Sequence, residues 1–228
     1  MEYAIILSRE SPTLPASEVI GILEGENIRF KKVKKLSGCI IIDSPTPIED
    51  IIIRRAAFSK KVVLTLGSSS SNLDDILHLS KNIALPDLSG KKWRVRVFKL
   101  TQAPKGLSYL LEREIGSIIL NRFPNSKVDL KNPDIELTGI LTNSTFLFGI
   151  DRGTVARWLF LARAYGMRAF YKPGSLPPRL ARAMLNLARV KEGSLVLDPF
   201  CGPGGIVVEA ILLGCRVIAN DISRNVIA

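Results

Sequence analysis

Short apolar runs alternate with turn signals over the first 70 residues of this 228-residue chain. Tyr3 to Ser8 reads as a strand, and Leu14 to Glu26 as a helix opened by Pro15 and Ser17. Arg29 to Lys34 and Gly38 to Asp43 read as two strands across a short turn. Pro47 to Phe58 reads as a helix, and Lys61 to Gly67 as a closing strand. The order β-α-β-β-α-β is that of a split βαβ, ferredoxin-like unit. The run Ser68-Ser69-Ser70-Ser71 then predicts a flexible junction.

A second pattern starts at Asn72, which caps a helix to Ile83 with Asp74 and Asp75 in its first turn. Trp93 to Leu100 alternates as a strand, with Arg94 and Arg96 on one face and Trp93, Val95 and Val97 on the other. Leu107, Leu110, Leu111, Ile115, Ile118 and Ile119 recur at helical spacing up to Phe123-Pro124. The segment 128–134, then 135–141 and 145–150, is expected to complete a strand pair. After a stretch to residue 172, Pro177-Pro178 opens another helix. Leu180, Ala183, Met184, Leu187 and Ala188 are its expected buried stripe, and Arg179, Arg182, Asn186 and Arg189 its polar face.

The last 35 residues carry the clearest chemistry. Ser194-Leu195-Val196-Leu197 runs into Asp198-Pro199-Phe200-Cys201-Gly202-Pro203-Gly204-Gly205, then into the helical string 206–213. A strand ending in an acid, a glycine turn and a helix N-terminus form the entry to a nucleotide-type cofactor site. There glycines let backbone N–H groups approach the ligand. A second strand, 216–220, ends at Asp221, which lies 221 − 198 = 23 residues after the first acid. That is close to the roughly 20 expected for a carboxylate that holds ribose hydroxyls. Gly202-Pro203-Gly204-Gly205-Ile206-Val207 lacks the third glycine of a dinucleotide fingerprint, which argues against a dehydrogenase.

Charge sharpens this picture. The net +11 is uneven: residues 1–90 hold 11 basic and 11 acidic residues, so 91–228 hold 32 − 11 = 21 basic and 21 − 11 = 10 acidic ones. Arg152, Arg157, Arg163, Arg168, Lys172, Arg179, Arg182, Arg189 and Lys191 form a tract without an acid, interleaved with Trp158, Phe160, Tyr165, Phe170 and Tyr171. Such a tract reads as a surface for phosphates and bases. Lys91, Lys92, Arg94, Arg96, Lys99 and Lys105, with Arg152, Arg157, Arg163 and Arg168, are the candidate RNA contacts. The three cysteines, Cys39, Cys201 and Cys215, form no Cys-x-x-Cys pair. This argues for a reducing, cytoplasmic setting and against a metal site or a disulfide framework. The one histidine, His78, reads as a helix-surface residue. No apolar run approaches the length that spans a bilayer.

The string Leu197-Asp198-Pro199-Phe200-Cys201-Gly202-x-Gly204-Gly205 resembles the first motif of S-adenosylmethionine-dependent N-methyltransferases acting on nucleic acid. The block Trp93-Arg94-Val95-Arg96-Val97 … Asn132-Pro133-Asp134 resembles the THUMP domain of RNA-modifying enzymes. Residues 172–188 resemble the helix that precedes the cofactor motif in tRNA guanine-N2 methyltransferases, including the guanine-10 type. The resemblance implies a ferredoxin-like N-terminal domain (1–70), a THUMP-like RNA-binding domain (71–150), a basic linker (151–172) and the start of an α/β Rossmann-like methyltransferase domain (173–228). It implies S-adenosyl-L-methionine held by Asp198, Pro199, Phe200, Cys201, Gly202, Gly204 and Gly205, with Asp221 on the ribose, and tRNA as partner. Pro203 replaces a small polar residue that is more usual at this place.

The family's Asp/Asn-Pro-Pro-aromatic loop, which stacks on a flipped base, has no counterpart here, so the catalytic residues are unknown. The expectation is an N-terminal portion of a methyltransferase, inactive alone. It is truncated by cloning or by a broken reading frame, or is split from a separate chain that supplies the C-terminal half. The alternative is a non-catalytic tRNA-binding THUMP module with a vestigial methyltransferase segment.

Overall fold

The computed structural model describes residues 1–164 and 175–223. Its residues fall into two compact units, one of 1–5, 32–43 and 62–153, the other of 6–31, 44–61 and 154–228.

An eight-stranded mixed sheet is the frame of the first unit. Its strands are β1 (Glu2–Leu7), β2 (Lys31–Leu36), β3 (Cys39–Asp43), β4 (Ser59–Ser70), β5 (Lys92–Lys99), β6 (Lys127–Val128), β7 (Ile135–Leu141) and β8 (Thr145–Thr154). Their order is β2-β3-β1-β4-β8-β7-β5-β6. The first four strands thus stand as a ferredoxin-like sheet, and β4 carries the same sheet on into the later strands. The serine run does not form the expected junction: Ser68, Ser69 and Ser70 belong to the 12-residue β4. A strand flanked by two partners overrides the turn preference of its residues.

β5 runs parallel to β7 from Trp93 opposite Ile135 to Lys99 opposite Leu141, and β7 pairs antiparallel with β8. The alternation expected along β5 holds, with Trp93, Val95 and Val97 buried. They pack with Leu111, Ile115 and Ile119 of helix α4 (Leu107–Arg122), with Leu137 and Leu141, and with Phe146 and Phe148. The buried Trp93 indole donates to Ser126 Oγ at 2.7 Å, so its one polar atom is satisfied. Helix α3 (Leu73–Asn82) begins as its sequence predicts, Asn72 Oδ1 accepting the Asp75 N–H at 2.8 Å. Ahead of the expected strand pair, the segment 128–134 contributes only the end of the two-residue β6, Lys127–Val128. Asp129 Oδ1 takes the N–H groups of Lys131 and Asn132 at 3.0 and 2.9 Å, and this turn leaves the ladder.

The second unit contains helices α1 (Leu14–Gly25), α2 (Glu49–Arg55), α5 (Trp158–Leu161), α6 (Pro178–Leu187) and α7 (Gly205–Leu212), with strands β9 (Leu195–Asp198) and β10 (Arg216–Ala219). β9 and β10 pair in parallel, Leu195 opposite Arg216 through Asp198 opposite Ala219. The stretch expected as a basic linker starts as strand and helix instead. β8 continues to Thr154, and Phe160 of α5 is buried with Ala57, Phe58 and Ala183. A large aromatic side chain that finds an apolar pocket fixes its own backbone.

The expected faces of α6 are corrected. Pro178, Ala181, Arg182, Leu185 and Asn186 form the buried stripe; Ala183 is buried as expected, whereas Leu180 and Met184 are 36% and 43% exposed. The spacing i, i+3, i+4, i+7, i+8 is that of an amphipathic helix, but its buried side includes an arginine and an asparagine. Helix α1 lies against this helix so closely that a Cβ on Gly21 would stand 2.4 Å from the Asn186 carbonyl oxygen.

Candidate functional site

The end of β9 turns through Pro199–Gly204 into α7. Gly202 and Gly204 adopt φ of +48° and +75°, a left-handed backbone that glycine takes without a Cβ penalty. Cys201 donates its N–H to Asn220 O at 2.9 Å, and Asn220 donates to Asp198 O at 2.9 Å, so the two strand ends are stitched together. Asp221, expected as the ribose acid, closes the corner: Oδ2 accepts the Gly202 N–H at 2.8 Å and Oδ1 the Ser223 N–H at 2.9 Å. Asp198 is buried and accepts the Phe200 N–H at 3.2 Å. Phe200 stands 84% exposed beside it. All eight predicted corner residues, Asp198, Pro199, Phe200, Cys201, Gly202, Gly204, Gly205 and Asp221, therefore belong to one turn and the strand end next to it.

These residues suit a nucleotide-type cofactor. Among the described residues nothing stands within 4 Å of where a Gly202 Cβ would be, and the first turn of α7 presents N–H groups that have no intrahelical acceptor. Two carboxylates flank the glycine turn. Burial, followed by the charges of Asp198 and Asp221, pushes the Cys201 thiol up, which keeps it a neutral thiol rather than a thiolate nucleophile.

Behind the corner lies a set of polar side chains that the periodicity did not disclose. Glu209 of α7 is fully buried and takes Arg163 Nε at 2.7 Å and Arg182 Nη2 at 2.8 Å. Both guanidinium groups also stack on the Phe160 ring, at 5.0 and 5.9 Å. Glu18 of α1 is buried as well. Its carboxylate accepts the N–H groups of Ala57 and Phe58, each at 2.8 Å, and Asn186 Nδ2 at 2.9 Å. Arg55 completes this network, donating to Asn186 Oδ1 at 3.0 Å, to Glu26 and to the Val190 carbonyl. The available signal was Glu209 itself, the one charge in the apolar string Ile206 to Leu213.

The candidate RNA contacts divide by their neighbours. In the first unit Lys91 and Lys105 are exposed, Lys92 Nζ lies 3.8 Å from Asp129, and Arg96 lies 3.6 Å from Glu112. Arg94 is held by Glu136 and donates to the Leu130 carbonyl at 2.7 Å; Lys99 donates to the carbonyls of Ala103 and Pro104. Arg152 is exposed. In the second unit the acid-free tract meets acids from elsewhere in the chain: Arg157 and Arg179 reach Glu10, Arg163 and Arg182 reach Glu209, and Arg189 reaches Glu24. One sign along the sequence is thus not one sign in space. Trp158 is exposed and Phe160 buried. Arg168, Lys172, Tyr165, Phe170 and Tyr171 lie outside the described residues. His78 is exposed on α3, as expected. Among the described residues no helix is long and apolar enough to cross a membrane.

With this geometry in view, the fold and corner define a THUMP-bearing protein joined to a nucleotide-cofactor α/β module. A THUMP domain model matches residues 70–151, and a model described as an RMKL-like methyltransferase domain matches residues 165–227. Two curated relatives are named tRNA (guanine(10)-N2)-dimethyltransferase. One, from Methanothermobacter thermautotrophicus, is 34% identical over 227 residues, covering 100% of this chain and 66% of its own length. The other, from Methanocaldococcus jannaschii, is 34% identical over 234 residues, covering 95% and 66%. The crystal structure of TrmN from Thermus thermophilus has the same fold, with a TM-score of 0.63 at 22% identity over 100% of this chain and 67% of that one. The chain belongs to the THUMP-domain guanine-N2 methyltransferase family. It spans about two thirds of the length of these curated relatives.

Proposed function

We propose that this chain forms the RNA-binding and first cofactor-binding part of an S-adenosylmethionine-dependent tRNA guanine-N2 methyltransferase. The observation that carries the reading is the corner at 198–205. It holds two left-handed glycines, a buried acid at the end of β9, and Asp221 at the end of β10 against the Gly202 N–H. Asp198, Pro199, Phe200, Cys201, Gly202, Gly204 and Gly205 wrap the amino-acid end of the cofactor, and Asp221 takes the ribose hydroxyls. The cofactor supplies an electrophilic sulfonium methyl; the chain's own residues bind and orient it. Lys91, Lys92, Arg94, Arg96, Lys99, Lys105, Arg152, Arg157, Arg163 and Arg168 meet tRNA phosphates, several of them while also held by the partners named above. No residue of this chain is assigned to the acceptor nitrogen, so binding rather than turnover is the property expected of these 228 residues alone.

A second reading, a tRNA-binding module with a vestigial corner, draws on Pro203, which offers neither a hydroxyl nor an N–H. Calorimetric titration of the chain with S-adenosylmethionine separates the two. The first reading expects saturable heat, with an affinity that falls by about tenfold or more in Asp221→Ala through the loss of a hydrogen bond to a charged group. Filter binding of tRNA without any heat from the cofactor favours the second. Failure of both titrations defeats both readings.

A further inference from the structure

One cluster of the second unit is left over from the corner and from the buried network. Arg9 and Glu10 follow the end of β1, Lys60 lies near the start of β4, Arg157 precedes α5, and Arg179 stands in the first turn of α6. Arg157 reaches Glu10 at 3.3 Å and Arg179 reaches it at 2.8 Å, and Glu10 is itself half exposed. One carboxylate with two oxygens therefore answers four cations, leaving a local excess of three positive charges. Among the described residues, Arg157 Nε and Arg179 Nη2 are buried nitrogens without a hydrogen-bond partner. Burial, followed by the charges of Arg157 and Arg9, holds the Lys60 ammonium below its usual pKa. Like charges kept together with donors unmet cost stability unless an anion relieves them. The Arg179 guanidinium is also fixed face-on over the Phe58 ring at 4.4 Å and donates to the Ala57 carbonyl at 3.0 Å. It is thus preorganised as a planar fork for an oxyanion.

We infer that Arg9, Lys60, Arg157 and Arg179 form a phosphate-binding site in which Glu10 stands in for the ligand. The ligand is a phosphodiester of bound RNA; a free phosphate species offers the same oxygens. The assignment to RNA rests on the tRNA-binding reading above, and the anion site itself does not.

The test uses the whole chain with two charge-matched double variants. Arg9→Gln with Lys60→Gln alters the two more peripheral cations of the cluster, and Lys34→Gln with Lys81→Gln removes two exposed charges elsewhere. The first pair is expected to weaken tRNA binding by about tenfold more than the second. It should also lower the slope of log K against log salt by about 0.7–0.9 for the lost phosphate contact. Glu10→Gln, which removes the internal competitor, is expected to tighten tRNA binding. Inorganic phosphate, followed by its effect on the midpoint of thermal unfolding, is the second probe. Protection of the parent chain by phosphate that is lost in the Arg9/Lys60 pair, with tRNA binding unchanged, upholds the anion site and assigns it to a free phosphate species. Equal responses of the two double variants to both probes overturn the site, whether or not the parent chain binds tRNA.

Discussion

The two units solve the same packing problem with different chemistry. In the first, strand and helix meet through hydrocarbon: Trp93, Val95, Val97, Leu111, Ile115 and Ile119 interdigitate with Phe146 and Phe148. In the second, helices α1, α2, α6 and α7 bury ions and amides among apolar residues such as Val19, Ile22, Ile52 and Leu185, with Glu18, Arg55, Arg182, Asn186 and Glu209 all at or below 5% exposure. Apolar contacts are nondirectional and tolerate small shifts. Buried ionic contacts fix angle and register, but each member depends on its partner being present. The rigid, directional joints therefore lie behind the glycine corner, where small displacements of α7 matter most.

The largest expected effect comes from breaking such a joint. Glu209→Ala leaves Arg182 as an uncompensated buried charge and is expected to cost about 3–5 kcal/mol. Urea unfolding measures the loss, and hydrogen exchange should locate it in α6 and α7 rather than in β5 or α4. The paired replacement of Arg182 by Met and Glu209 by Leu keeps volume and removes both charges; it should restore most of the lost stability. If Glu209→Ala unfolds both units alike, the contrast between them fails.

Glu18→Gln is the next step down. The amide keeps the shape of the carboxylate but turns an NH₂ group toward donors of Ala57, Phe58 or Asn186. One buried donor goes unmet, at a cost of about 1–3 kcal/mol. The sign of the pH effect also follows. Burial raises the Glu18 carboxyl above its ordinary value, so the unfolded chain gives up this proton first. Its contribution to stability is greatest below about pH 4.5 and falls as pH rises toward the folded-state value. A flat difference between the parent and Glu18→Gln stability curves across that range would contradict the assignment.

The same contrast explains what the sequence disclosed. Period-two alternation located β5, and helical spacing located α4, because their buried positions are apolar and the pattern is the cause of the packing. The corner was legible residue by residue, since left-handed turns at Gly202 and Gly204 need glycine and the strand-end acid needs its place. Helix α6 was found but rotated: Ala183 is buried as expected, yet an amphipathic reading sends Arg182 and Asn186 to solvent. Their partners, Glu209 and Glu18, lie 27 and 168 residues away, and no local pattern carries that pairing. The acid-free tract misled for the same reason, its counter-ions Glu10, Glu24 and Glu209 lying outside it in sequence.

In the first unit, Ile115→Val removes one methylene from a fully buried position of α4. A cost of about 0.5–1.5 kcal/mol is expected, without loss of fold. Trp93, buried in this unit, supplies the fluorescence readout, whereas Trp158 is exposed in the other and should report little of the change. A loss as large as that of Glu209→Ala would mean that the hydrocarbon core is no more forgiving than the ionic one.

The smallest effect is the most discriminating about α6. A helix whose Leu180 and Met184 packed inward would lose about 2–5 kcal/mol when Met184 is truncated, as buried Met side chains do. The observed helix instead turns Met184 outward, 43% exposed, and buries Arg182, two residues earlier, on the other side. Met184→Gln retains length and helix preference, so this chain should change stability by no more than about 0.5 kcal/mol. A drop of several kcal/mol in urea unfolding would restore the orientation that hydrophobic periodicity suggests. It would also undo the Arg182–Glu209 joint on which the contrast between the two units rests.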